Sequence, residues 1–409
     1  MIDNNNLIKN IALVWENQEI GGVNSYIYFI LSNKNFSSFN ISVYTNKNNK
    51  ASKILEEKLK KFNNIKFFYY NSYLVFETNF FLLKLFYYFL KPMFFFVMYL
   101  KFKIIFFNKF DLIVGICGGY GSFRSELAAI LSYKKRKCLK TLIICHDAQG
   151  GPIFQNFILR FIDRIISKNV SSIISISKAT RDSLRQNTDL FRTNRNLHDP
   201  VIHIGVPKTT ANKAHLPVFN KKENNIFNIG IVSRLEPYKG HEDLCVAFSR
   251  LPYEFKSKIN IFFIGPYSNE YKTKISNLIL ALNIKKYILF TGYLSESSQE
   301  IISNLDLLLS LTRNFEGFGI SLAEAMSMKI PILATKVGAI TEFLNEKNAY
   351  LIEPSSSSQI AEAIINFVNH NNLWKIRADI AYGDFLKIYN SDRMCEELLI
   401  HFKTRYDLL

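Results

Sequence analysis

Cysteine is scarce in this 409-residue chain, and the five present, Cys117, Cys138, Cys145, Cys245 and Cys395, share no paired spacing. Without a CxxC, neither a zinc frame nor a disulfide framework is indicated. Three of them sit in apolar runs and read as small core residues, which fits a reducing cytosol. Acidic residues are also few: 34 Asp and Glu stand against 51 Lys and Arg, a formal net charge of +17. Such an excess favours polyanionic partners, whether nucleic acid, an anionic membrane surface or phosphorylated ligands, and charge alone does not choose among them. No internal repeat and no long low-complexity linker is present. A clean apolar run of membrane-spanning length is missing too. The most lipid-like segment, Phe80 to Phe107, is broken by Lys84, Lys91, Pro92, Lys101 and Lys103, whereas a span needs about 20 largely apolar residues. Pro92 is expected to kink any continuous helix there. The polar opening MIDNNNLIKN lacks the charged-then-apolar layout of a signal peptide, so a cytoplasmic location is expected.

What is there is α/β alternation. Apolar residues make up 48% of the chain, enough for two substantial cores. Continuous apolar runs mark strands buried on both faces, as in parallel sheets covered by helices. Such runs occur at Ile11–Val14, Ile41–Tyr44, Leu112–Val114, Thr141–Ile144 and Ser172–Ile176, with a strand end at Val201–Ile204. The pattern restarts at Ile229–Val232 and continues at Ile261–Ile264, Ile288–Phe290, Leu307–Leu309 and Ile332–Ala334. Between them a Lys-, Asn-, Thr- and Pro-rich stretch marks a boundary. The expected organisation is a first domain over residues 1–206, a linker over 207–225 and a second domain over 226–390. A final helix over 391–409 has no strand after it and is placed back against the first domain. Both halves read as doubly wound units, whose ligands bind outside the carboxyl ends of the strands.

Two segments carry chemistry. Asn314-Phe315-Glu316-Gly317-Phe318-Gly319-Ile320 follows a strand and opens a helix that contains Glu324. Gly317 and Gly319 let the backbone turn and present N–H groups, and a helix N-terminus adds partial positive charge, a natural seat for a diphosphate or a sugar hydroxyl. Glu316 and Glu324 suit hydroxyls rather than phosphate. An ordinary strand–glycine–helix connection would look similar, with glutamates stabilised by the helix dipole; two carboxylates bracketing the glycines favour a site. The other segment, Ser233-Arg234-Leu235-Glu236-Pro237-Tyr238-Lys239-Gly240, places Arg234 and Lys239 in one loop at the carboxyl end of a strand. Two fixed cations there can neutralise a diphosphate and the charge that builds on it as it leaves, although basic loop residues are often only solvated.

Together these segments resemble the retaining glycosyltransferases of the GT-B fold, family 4 (glycosyl transferases group 1), including those of polysaccharide and O-antigen biosynthesis. The resemblance rests on an Arg and a Lys five residues apart and on a Glu-x7-Glu element, Glu316 and Glu324. It extends to Glu19-Ile20-Gly21-Gly22-Val23, Cys145-His146-Asp147, Ser175–Thr180, Ile204-Gly205-Val206, Gly265-Pro266, Gly292-Tyr293-Leu294 and Val337-Gly338-Ala339-Ile340-Thr341-Glu342. It implies two Rossmann-like domains facing across a cleft. It further implies that Arg234 and Lys239 bind the donor diphosphate and that Glu324 holds the ribose. Glu316, Gly317, Phe318, Gly319 and Ile320 would hold the donor sugar and phosphate. Gly22 would approach the phosphates from the first domain, and Gly265, Tyr293 and Leu294 would line the nucleotide pocket. His146 would contact the sugar near the reacting carbon, unless it is structural. The catalytic set implied is thus Glu316, His146, Arg234 and Lys239. Two positions depart from the family pattern: Ile204 stands where Asn is frequent, and Ala339 where a second glycine is frequent.

No Asp-x-Asp occurs, so the divalent-metal mode of the other major glycosyltransferase fold is unsupported, and neither metal nor cofactor is expected. The cationic pair takes the charge-neutralising part. The expected reaction is retaining transfer of a hexose-type sugar from a nucleotide-sugar to a saccharide or polyprenyl-linked acceptor. The Phe- and Lys-rich stretch Phe80–Phe107, with Lys134-Lys135-Arg136-Lys137 and Lys140, suits an anionic lipid surface. Alternatively it is a helix buried on the first sheet. The location implied is peripheral, on the cytoplasmic face of the inner membrane. A sugar-nucleotide epimerase of the same fold is the rival enzyme. A basic nucleic-acid or membrane-binding protein is the rival from another class, but no nucleic-acid-binding signature is present.

Overall fold

The computed structural model describes residues 8–16, 21–74, 81–106, 109–121, 124–134, 137–148, 153–208, 216–219 and 226–408. Glu19, Ile20, Lys135, Arg136 and most of the expected linker lie outside them. The chain divides into two compact units, Met1–His203 with Asp392–Leu409, and Ile204–Ser391.

The first unit holds β1 (Asn10–Trp15), β2 (Asn40–Asn46), β3 (Ile65–Tyr70), β4 (Leu112–Cys117), β5 (Leu139–Ile144) and β6 (Ser172–Ser175). They form one sheet in the order β3-β2-β1-β4-β5-β6, all pairs parallel. The second unit repeats the plan with β7 (Phe227–Val232), β8 (Ile259–Ile264), β9 (Ile288–Gly292), β10 (Leu307–Ser310), β11 (Ile332–Thr335) and β12 (Tyr350–Ile352). Its order is β12-β11-β10-β7-β8-β9, again parallel. In each sheet the winding reverses once, between β1 and β4 and between β7 and β10. These are the two points where a doubly wound sheet opens a crevice for a ligand.

The central strands form because their residues are apolar on both faces: all six residues of β4 are buried. Ile229, Ile261 and Leu307 pack with Phe248, Phe367 and Trp374 in the second core, each fully buried side chain contributing about 1.5–3 kcal/mol. The strands that the apolar runs do not reveal, β3 and β12, are edge strands. β3 alternates half-buried with exposed residues and interposes Lys66, and β12 is three residues long.

Val201–Ile204 does not form the strand expected there. His198 and Val201 each make a single bridge to β6, at Ser172 and Ser175. Pro200 lies between them and brings no N–H, which interrupts the ladder. The chain then passes into the second unit, where Gly205 lies against Asn390 so closely that a Cβ would stand 2.0 Å from its carbonyl oxygen. The last helix, Ser391–Asp407, falls almost wholly in the first unit. Its His401 pairs with the Ser172 hydroxyl at 2.9 Å, and Arg405 donates to the Ser171 carbonyl at 3.0 Å.

Pro92 does not end the helix around it: Phe81–Ile105 runs as one element of 25 residues. Met98 and Phe102 on one face are fully buried in the first core, so this packing offsets the hydrogen bond that proline cannot make. Among the described residues no helix is long and apolar enough to cross a membrane.

Candidate active site

The second reversal point brings the two motif segments together. After β7 the chain turns through a single 3-10 turn, Pro237–Lys239, into the helix His241–Ser249. After β10 it runs through Thr312–Gly319 into the helix Ile320–Ser327. Because β7 and β10 are neighbours, the two loops lie side by side. Lys239 Nζ donates to Glu316 Oε2 at 2.7 Å, and the Thr312 hydroxyl donates to the same oxygen at 3.0 Å. Both members of the ion pair are shielded, with side chains 16% and 13% exposed. Burial alone pushes the Lys239 amine down, but the Glu316 carboxylate and its hydrogen bond hold it above the ordinary lysine range. Arg234 reaches Glu236 at 3.3 Å and the Tyr238 hydroxyl at 3.4 Å within the same loop. The result is two cations, each beside a carboxylate, next to a helix N-terminus, a set that can hold a diphosphate next to a hydroxylated ring.

Glycines permit this closeness. Gly240 has φ +77, and a Cβ on it would stand 2.2 Å from the Leu311 carbonyl oxygen. Gly338, at φ +52, lies against the backbone of Glu316 from behind, and Ala339 N donates to the Glu316 carbonyl at 2.9 Å. Gly265 abuts the Ser233 carbonyl and so backs Arg234.

The other named residues divide by accessibility. Glu324 is 4% exposed, and burial pushes its carboxyl up to about 8, against partial relief from the Ser298 side chain. Gly317 is buried, and Gly319 and Ile320 are half-buried at the helix start. Phe318 is buried and stacks on Phe343 at 4.8 Å, so only its backbone can face a ligand. Tyr293 is exposed and Leu294 half-buried just past β9. Gly22 and His146 belong to the first unit. Gly22 opens the helix Gly22–Leu31. His146 follows β5 and pairs through Nδ1 with Asp147. The turn after β4 links their surroundings, Gly118 lying near Val23 and Gly119 near His146.

Three groups escaped the motif reading. Glu16 and Glu126 meet at the first reversal point: Glu16 N donates to Glu126 Oε1 at 2.9 Å, and Ser125 N to Glu16 Oε2 at 3.3 Å. Burial pushes Glu126 up to about 7, with Arg124 pulling it down and Glu16 pushing it up. An acidic residue in the first turn of the otherwise apolar helix Ser125–Ser132, the helix that follows β4, was the available signal. The third is Arg313, whose guanidinium grips Asp243 at 2.8 Å through both Nε and Nη2 and reaches the Pro237 carbonyl at 3.3 Å, while its N–H donates to the Tyr238 carbonyl at 2.8 Å. It braces the Lys239 turn against the Glu316 loop. Arg313→Ala is expected to cost about 1–3 kcal/mol of stability. The same variant should weaken nucleotide-sugar binding more than Arg313→Lys does, measured by thermal denaturation and calorimetric titration. Among the described residues no group of three or more His, Cys, Asp or Glu side chains is placed to hold a metal ion.

Residues 213–383 match the family described as glycosyl transferases group 1. This segment is a member of that group. Poly(ribitol-phosphate) alpha-N-acetylglucosaminyltransferase of Staphylococcus aureus (strain COL) is 28% identical to this chain over 178 residues, 43% of this chain and 35% of that protein. The chain thus matches about a third of that relative's length. A glycosyltransferase from Rickettsia africae superimposes with a TM-score of 0.75 over 97% of this chain and 98% of its own, at 18% identity. HepE of Anabaena, solved with UDP and glucose, gives 0.71 over 97% and 100%, at 16% identity. The fold is GT-B, built of two Rossmann-like units.

Proposed function

We propose that this protein is a glycosyltransferase of surface polysaccharide biosynthesis, moving a hexose-type sugar with retention from a nucleotide-sugar to a saccharide or polyprenyl-linked acceptor. The observation that carries this is the Lys239–Glu316 pair at the β7/β10 reversal point. In this reading Arg234 and Lys239 take the donor diphosphate and stabilise its charge on departure, without need of a metal. Glu316 passes from Lys239 to the sugar hydroxyls. Glu324 accepts the ribose hydroxyls. The bound UDP and glucose of HepE support a nucleotide-sugar donor, and the poly(ribitol-phosphate) in the staphylococcal relative's name supports a hydroxyl-bearing polymer as acceptor. The work is done at the cytoplasmic side of an anionic membrane.

Thermal-shift screening with UDP-, GDP-, ADP- and dTDP-sugars, with and without EDTA, tests the donor site. One nucleotide class should stabilise the protein, EDTA should leave that unchanged, and Glu324→Ala should weaken it; no shift with any donor would refute the reading. Binding should also depend on pH. Hydroxyls donating to Glu324 favour its charged form, whereas the free protein holds this carboxyl up at about 8. Binding therefore releases a proton, and affinity should rise by up to about tenfold per pH unit below that value, then level off. Calorimetry in buffers of different ionisation heat reads the proton, and Glu324→Gln should abolish the dependence.

A further inference from the structure

The helix Phe81–Ile105 carries two apolar faces, and the first core uses only one. Met98 and Phe102 point inward and are fully buried. On the opposite side Phe86, Phe89, Met93, Phe96, Leu100 and Ile104 follow at steps of three and four, so they share one face. All are exposed, Phe89 by 75% and Ile104 by 73%. Scattered exposed apolar residues need no explanation, but a continuous stripe of this kind marks an interaction surface.

Charge selects the occupant. Between Phe81 and Ile105 there is no acidic residue. At 100° per residue Lys101 and Lys103 fall on opposite flanks of the stripe, Lys101 beside the Tyr73 ring with one N–H donated to the Asn71 carbonyl at 2.9 Å, and Lys103 beside the ring of Tyr99. A second copy would set like charges against each other. A protein partner would ordinarily find hydrogen-bonding groups among the apolar ones, and the stripe itself offers no side-chain donor or acceptor. Apolar side chains that sink about 5–10 Å below the headgroups, with lysines reaching back to phosphate, match an anionic bilayer surface. The buried face ties the helix to its unit, so it lies along the membrane plane.

We infer that the exposed face of the helix Phe81–Ile105 seats the protein on an anionic bilayer, the Phe89–Phe96 stripe entering the acyl boundary and Lys101 and Lys103 meeting lipid phosphate. This deepens the membrane part of the function proposed above and rests on that reading only for what the membrane supplies, a lipid-linked acceptor.

Flotation of the full chain tests it, using neutral phosphatidylcholine vesicles and vesicles rich in phosphatidylglycerol. The wild type should float with the anionic vesicles at least tenfold more than with the neutral ones. Phe89→Asp/Phe96→Asp should lose flotation, and Lys101→Gln/Lys103→Gln should lose the preference for anionic lipid. Both variants should keep the denaturation midpoint and the nucleotide-sugar thermal shift. No flotation of the wild type, flotation indifferent to lipid charge, or an aspartate variant that floats like the wild type would overturn the inference. So would a stripe variant that changes only the oligomeric mass. The thermal shift is read separately, so loss of membrane binding with the shift intact leaves the transferase reading standing.

Discussion

Lys239→Met is expected to lower kcat/KM for sugar transfer by about 10²–10³, the scale of removing one preorganised electrostatic contact to developing charge, with the fold retained. The side chain is shielded and held in its charged state by Glu316 in the free protein, so once it exchanges that carboxylate for the donor its charge is in place before the diphosphate departs. The substitution also strands the Glu316 carboxylate with the Thr312 hydroxyl as its remaining side-chain donor of those described above. A buried charge that loses its partner is destabilising, so the denaturation midpoint should fall as well. Lys239→Met/Glu316→Gln separates the two effects: it should regain the midpoint and leave the activity lost. Steady-state kinetics with the identified donor, alongside thermal denaturation, checks both, and a Lys239→Met enzyme of wild-type activity would remove the diphosphate role.

Gly240→Ala is expected to cost about 2–4 kcal/mol, from backbone strain at positive φ and from overpacking together. The added methyl has nowhere to go, because the Leu311 carbonyl oxygen at 2.2 Å belongs to the backbone leaving β10. Relief requires the Lys239 turn to withdraw from the Glu316 loop, so donor affinity should fall with stability. Gly383→Ala is the matched control. Gly383 lies inside the helix Asn371–Lys387, and nothing comes within 4 Å of the place a methyl would take there, so alanine should add about 0.5–1 kcal/mol. Denaturant unfolding of the two variants compares them directly, and equal effects would show that the contact with Leu311 is not tight.

The chain's own pattern was enough to show α/β alternation, the central strands of both sheets, and the segments holding Arg234, Lys239, Glu316 and Glu324. Central strands of parallel sheets are apolar on both faces, and glycines that turn a strand into a helix leave a local mark. β3 left a weaker mark because it is covered on one face only and interposes Lys66, and β12 because it is three residues long.

Local pattern also determined that Phe81–Ile105 would be rich in Phe and interrupted by lysine, yet it presented burial and lipid contact as alternatives. Packing resolved one half of that choice: Met98 and Phe102 face the core while Phe89 and Phe96 do not, which sequence spacing alone cannot orient. The meeting of Lys239 with Glu316, 77 positions apart, likewise depends on β7 and β10 being neighbours. So do the brace from Arg313 and the close approach of Gly338 behind Glu316. Residue types and their short-range spacing follow from local chemistry and can be read along the chain. Which distant loops share a reversal point is set by strand order, and strand order is a property of the folded sheet.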